Sequence, residues 1–237
     1  MNIIRSYGII LIKNNKILML NRKNSIYYIE FLMGKYNFEN IKSIELIFSR
    51  MTNNEKLNIM NESFDTLWIK LWGSKNKSKN IHKYNKGFKK YQILKKNDLL
   101  LKRLCNIKIY DDTEWEFSKG RKNKGEININ CAIRELKEET NIDFKNYDII
   151  KNILPIIEEY VSTNNIKYRI CYYVGIYKDV LCDIDINNDE VNKVKWIDIN
   201  NTKNYIRDYN KSKFDIIDKV KSIIESYNKE YYIINNI

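Results

Sequence analysis

Between Gly120 and Ile142 the chain reads GRKNKGEININCAIRELKEETNI, a run in which acidic side chains recur at fixed intervals inside a strongly basic protein. Five residues separate Gly120 from Glu126, and seven more lead to Arg134-Glu135-Leu136-Lys137-Glu138-Glu139. On a helix Glu135, Glu138 and Glu139 fall at i, i+3 and i+4 and share one stripe, while Ala132, Ile133 and Leu136 face inward. Like charges at that spacing repel. A hard divalent cation held through oxygen, Mg²⁺ or Mn²⁺, would relieve the repulsion, and the chemistry open to such a site is hydrolysis of a phosphoric anhydride. The competing reading is a solvated surface helix rich in Glu and Lys.

The arrangement resembles the Nudix box: Gly, five residues, Glu, seven residues, then Arg-Glu-aliphatic-any-Glu-Glu-any-Gly-aliphatic. Every charged position is present. Asn141 replaces the last glycine, and asparagine is the residue that best tolerates the left-handed conformation needed there. The lead-in Trp115-Glu116-Phe117-Ser118-Lys119-Gly120 resembles the Trp-Gly-Phe-Pro-Lys-Gly of decapping Nudix enzymes, with Glu116 and Ser118 in place of Gly and Pro. The aromatic stretch Tyr27 to Tyr36 resembles one in the decapping-type Nudix hydrolases of large cytoplasmic DNA viruses.

These resemblances imply an α+β Nudix fold, a mixed β-sheet between helices. They imply metal ligation by Glu135, Glu138 and Glu139, with Glu126 completing the shell and Arg134 orienting a carboxylate. Asn187 to Asp198 resembles the late acidic loop and strand of the family, which makes Glu190 a further metal or base contributor. Glu126, Arg134, Glu138, Glu139 and Glu190 form the expected catalytic set. Lys119 and Arg121 stand beside it, placed to meet phosphates. The narrower resemblance implies removal of the 7-methylguanosine cap from mRNA by cutting within the triphosphate bridge. Tyr27, Tyr28 and Phe31 are then candidates to stack on the methylated base.

The elements that must position these residues follow from period and punctuation. Ile3 to Ile12 and Lys16 to Arg22 read as a strand pair around Asn14-Asn15. From Asn37 to Ile107 the apolar period lengthens to that of helices: Ile41, Ile44, Ile47, Phe48 and Met51 mark one, Thr52-x-x-Glu55 caps a second, and Ser63 caps a third. Asn128 is the expected N-cap of the acidic helix. Ile149 to Tyr160 and Ile166 to Tyr177 read as strands around a 162–165 loop, and Lys213 to Tyr232 as a closing helix. The division drawn is a catalytic domain of residues 1–36 and 106–237 with an inserted all-helical subdomain at 37–105.

Between Lys75 and Arg103 there are eleven basic residues, Lys75, Lys77, Lys79, Lys83, Lys86, Lys89, Lys90, Lys95, Lys96, Lys102 and Arg103, against one acidic, Asp98. Such a bias fits a polyanion, and Lys83, Lys86, Lys89 and Lys90 are the expected contacts to RNA phosphates. Tyr84, Phe88 and Tyr91 share a helical face with them, to pack inward or to meet RNA; His82 reads as a surface residue. The formal net charge of +12 points the same way, although use of Ile, Asn, Lys and Tyr throughout the chain inflates it. No apolar run is long enough for a bilayer, the N-terminus carries no signal-peptide pattern, and Cys105, Cys131, Cys171 and Cys182 lie far apart as reduced thiols would. The expectation is a cytoplasmic protein, in the host cytoplasm if viral, with capped mRNA as partner and inositol phosphates as competing polyanions. Its oligomeric state is not legible. Hydrolysis of small polyphosphates, dinucleoside or diphosphoinositol, and an idle RNA-binding module stay open as alternatives.

Overall fold

The continuous β-branched, apolar run of the first segment gives β1, Ile3–Lys13, buried on both faces, which turns through Asn14 at φ 52 into β2, Lys16–Arg22. The two faces of β1 receive different partners. Ile10 and Ile12 pack with Phe117, Tyr172, Ile217, Val220 and Ile224 on one side, and Tyr7, Ile9 and Leu11 pack with Cys131, Ala132 and Leu136 on the other. The computed structural model describes residues 3–73, 80–108, 110–162, 166–178 and 189–234, with side chains as far as 226. Lys75, Lys77, Lys79, Cys182, Thr163 to Asn165 and Asn187-Asn188 lie outside the described residues.

The chain divides into two compact units, Met1–Arg22 with Glu114–Ile237, and Lys23–Thr113. In the first, β1 and β7 (Lys167–Tyr177) run parallel at the centre. The other strands join antiparallel: β2, β3 (Trp115–Glu116), β4 (Ser118–Gly120), β5 (Tyr147–Ile149), β6 (Ile156–Val161) and β8 (Val191–Asp198). The acidic helix, Asn128–Thr140, covers one face of this mixed sheet, and a helix at Lys211–Ile234 covers the other. This is the α+β sheet between helices expected from the sequence.

The second unit holds six helices among its described residues: α1 Ile26–Leu32, α2 Ile41–Ser49, α3 Asn53–Asn61, α4 Phe64–Trp72, α5 Ile81–Lys95 and α6 Asp98–Cys105. The acidic helix is then α7 and the last one α8. The capping box at Thr52 and Glu55 forms, and Ser63 accepts from Thr66 N. Phe64 meets Tyr84, Phe88 and Tyr91 edge-on or tilted, so those rings build the unit's core.

Three boundaries are corrected. The helical unit begins at Lys23 and ends at Thr113, outside the 37–105 limits, because Ser25 caps an extra helix whose Tyr27, Tyr28, Phe31 and Leu32 are buried. Ile149 to Tyr160 is two strands, since Pro155 has no N–H for a ladder and disfavours helix or turn closure at Leu154 before it. Asn128 is the first helical residue of α7 rather than its cap; Ile127 takes the cap position without a side-chain bond.

Candidate active site

Strand β4 and helix α7 set the site. Glu135 approaches the backbone at Gly120 so closely that a Cβ there would lie 1.9 Å from its carboxyl carbon, so any side chain at 120 would displace the Glu135 carboxylate. The C-terminus of α7 closes on Asn141 at φ 60 and ψ 12, the left-handed geometry for which glycine is the usual choice.

Arg134 stands among three of the acids. Its Nε and Nη2 donate to Glu126 at 2.9 and 3.0 Å, and its Nη1 donates to Glu135 at 2.8 Å and Glu138 at 3.0 Å. Nη2 also donates to the Arg121 carbonyl at 2.9 Å, fixing the loop before the helix. Hydrogen bonds from Arg134 and from Asn123 N bring the pKa of Glu126 down to about 2. Glu139 turns the other way, toward Ser118 and Lys119, and burial pushes its pKa up to about 8 against the pull of Lys119. Burial also raises Glu135, with the Arg134 bond opposing it. Glu190, just before β8, is exposed yet close enough to act on Glu135 and on Arg22.

The three helix carboxylates therefore do not converge as the stripe suggested. Among the described residues no three acidic, histidine or cysteine side chains gather as a metal would need. Arg134 draws Glu138 and Glu135 aside while Glu139 sinks toward the sheet. The donors still fit a hard divalent ion in kind, because buried carboxyls with raised pKa are groups that a nearby cation stabilises in their ionised form.

The remaining predicted residues are scattered. Lys119 is paired with Glu116, and Arg121 is exposed beside α7. In the helical unit Lys83, Lys86 and Lys89 are exposed on α5. Lys90 is not: it donates to the carbonyls of Gly34, at 3.0 Å, and Tyr36, lies over the Tyr36 ring, and has its pKa lowered by burial and by Lys86. It is a staple of the fold, which corrects its assignment to RNA. Tyr27, Tyr28 and Phe31 are 8%, 4% and 1% exposed, with Phe31 stacked on Tyr36 and Tyr27 under Arg50, so these rings have no open faces for a cap. Sequence reading missed Glu116, Arg22 and Lys213 as a charged group behind the site; a glutamate at a glycine position of the lead-in was the available signal.

The fold and this acidic helix define a class, and the profile of the NUDIX domain matches residues 92–219, more than half of the chain. The chain belongs to the Nudix family. It is 30% identical over 226 residues to a protein of Acanthamoeba polyphaga mimivirus named for mRNA decapping, covering 82% of this chain and 62% of that one. It is 27% identical over 191 residues to mRNA-decapping protein g5R of African swine fever virus (isolate Pig/Kenya/KEN-50/1950), covering 76% of each. A solved Ap4A hydrolase of C. elegans aligns over 97% of this chain and 98% of its own at 12% identity, with a TM-score of 0.47. The chain thus spans just under two thirds of the mimivirus relative.

Proposed function

We propose that this chain is a Nudix pyrophosphohydrolase that removes the 7-methylguanosine cap from mRNA, releasing methylated GDP and 5′-monophosphate RNA. The observation that carries the reading is the acidic set of α7, in which Arg134 holds Glu135 and Glu138, Glu135 abuts Gly120, and Glu139 is buried toward Ser118 and Lys119. The decapping relatives supply the substrate class. Glu135, Glu138 and Glu139 hold divalent metal, Mg²⁺ or Mn²⁺, with Glu126 keeping Arg134 in place. A divalent ion held there would offset the charge of the phosphates and lower the pKa of a water. Glu190 serves as base from the loop before β8, and Lys119 and Arg121 meet phosphate oxygens. On α5, Lys83, Lys86 and Lys89 hold the RNA body through its phosphates, and inositol phosphates compete for the same cations. The protein acts in the cytoplasm, where capped messages are.

Cap-labelled RNA incubated with the full chain, with and without divalent metal, tests this. Methylated GDP released only with metal is the expected product. Equal turnover of free cap dinucleotide and capped RNA would move the assignment to a hydrolase of small polyphosphates, and no product at all would leave an RNA-binding module.

A further inference from the structure

Behind the acidic helix lies a charged group that the Nudix motif does not explain. Glu116 on β3 is 7% exposed and accepts from Arg22 Nη1 at 2.6 Å on one side and from the Lys119 ammonium on the other. Burial alone would raise its pKa, but Lys119 and Arg22 outweigh that and hold it well below the usual carboxylate range. One cation would suffice for a buried carboxylate; Glu116 has two in hydrogen-bond contact, and Lys213 acts on it from farther off. Counted alone, the three groups hold two cations to one carboxylate, with Glu114 and Glu190 also acting on Arg22. The side chains of Arg22 and Lys119 keep 20% and 17% exposure, so neither is sealed from solvent. Glu114, which also acts on Arg22, is paired with Arg207 at 3.3 Å.

Both cations also act on acids of the site. Lys119 acts on Glu139, Arg22 feels Glu190, and Glu190 acts on Glu135. The hydrogen-bonded group Lys119, Glu116 and Arg22 is thus coupled electrostatically to Glu139 through Lys119 and to Glu190 through Arg22. Long basic side chains lose rotamer entropy when fixed, and an anchoring carboxylate takes that loss before any ligand arrives.

We propose that Glu116 is a positioning residue that presents Arg22 and Lys119 as a two-pronged clamp for the bridging phosphates of the substrate. Glycine, which the decapping lead-in has at this place, offers no such anchor. The inference rests on the hydrolase reading above for the identity of the anion.

The test uses the full chain, with Glu116→Gln, which keeps the size of the side chain and loses its charge. Two readouts are taken: steady-state hydrolysis of capped RNA, and calorimetric binding of inorganic tripolyphosphate without metal. A clamp that binds ground and transition states alike raises KM and weakens tripolyphosphate by about tenfold each while kcat stays within about twofold. In a Lys119→Gln background the same substitution should add less than half of that effect, because it acts through Lys119. Unchanged KM and tripolyphosphate affinity, or a loss confined to kcat, overturns the proposal. If Glu116→Gln does not fold, Arg22→Lys carries the same readouts, and unchanged values there overturn it equally. Tripolyphosphate binding that depends on Glu116, in a chain that leaves capped RNA uncut, would keep the clamp and discard the decapping reaction.

Discussion

Burial holds the Glu139 carboxyl at a pKa of about 8, against an ordinary value of 4.5, so in the metal-free chain it carries a proton at neutral pH. Between those two values the folded state binds more protons than the unfolded state. Its contribution to stability is therefore full below pH 4.5 and is lost as pH rises toward 8. The melting temperature of the metal-free chain should fall across that window, and Glu139→Gln should flatten the fall and melt higher than the parent at its upper end. A parent melting curve indifferent to pH there would mean that the carboxyl is hydrated. Because a cation takes the place of the proton, metal affinity should rise over the same range. Glu139→Gln should abolish hydrolysis and leave RNA binding largely intact, measured on cap-labelled RNA and by gel shift; retained turnover would remove Glu139 from the site. At Gly120 the argument is steric. Gly120→Ala puts a Cβ against the Glu135 carboxyl, so turnover should drop by two orders of magnitude or so while the fold persists, since a misplacement of about 1 Å costs that much.

Among the elements, α5 shows how side chains of one type on one helix take different roles. Lys86 and Lys89 point to solvent, whereas Lys90 reaches back to carbonyls at Gly34 and Tyr36 and packs on a ring. Lys86→Ala with Lys89→Ala should reduce the slope of log K against log salt for single-stranded RNA by about 1.4, two contacts at roughly 0.7 each. Lys90→Ala should leave the slope alone and lower stability by about 1–3 kcal/mol in a denaturant titration. No sequence pattern separates Lys89 from Lys90, because the difference lies in where the turn after α1 ends. The same is true of Tyr27, Tyr28 and Phe31, whose spacing fits an inward helical face as well as an aromatic platform. By contrast β1, β2, the capping box at Thr52 and the left-handed end at Asn141 were legible, because period and local hydrogen bonding decide them. The acidic helix was legible as an element, yet the divergence of its carboxylates was not. That depended on Arg134, which satisfies three acids at once, and on Gly120, fifteen residues before Glu135, which lets that side chain in.

For the molecule as a whole, under the proposed decapping function, the charge distribution would set the substrate more than the chemistry does. An acidic helix able to cut an anhydride would act on any polyphosphate that reached it, so preference for a long RNA has to come from cations remote from the cut. The chain has a formal net charge of +12, and the helical unit contains the exposed Lys83, Lys86 and Lys89. Contacts of that kind are paid in released counterions and weaken with salt, whereas binding of a short cap dinucleotide engages few of them. Capped RNA should therefore show a much lower KM than the free dinucleotide at about 50 mM salt, and raising salt to about 200 mM should narrow the gap at least tenfold, with kcat for the two substrates staying alike. The measurement is a pair of kinetic series in which only salt is varied. A preference that survives the change would place RNA selection in base stacking or shape rather than in the lysines of α5.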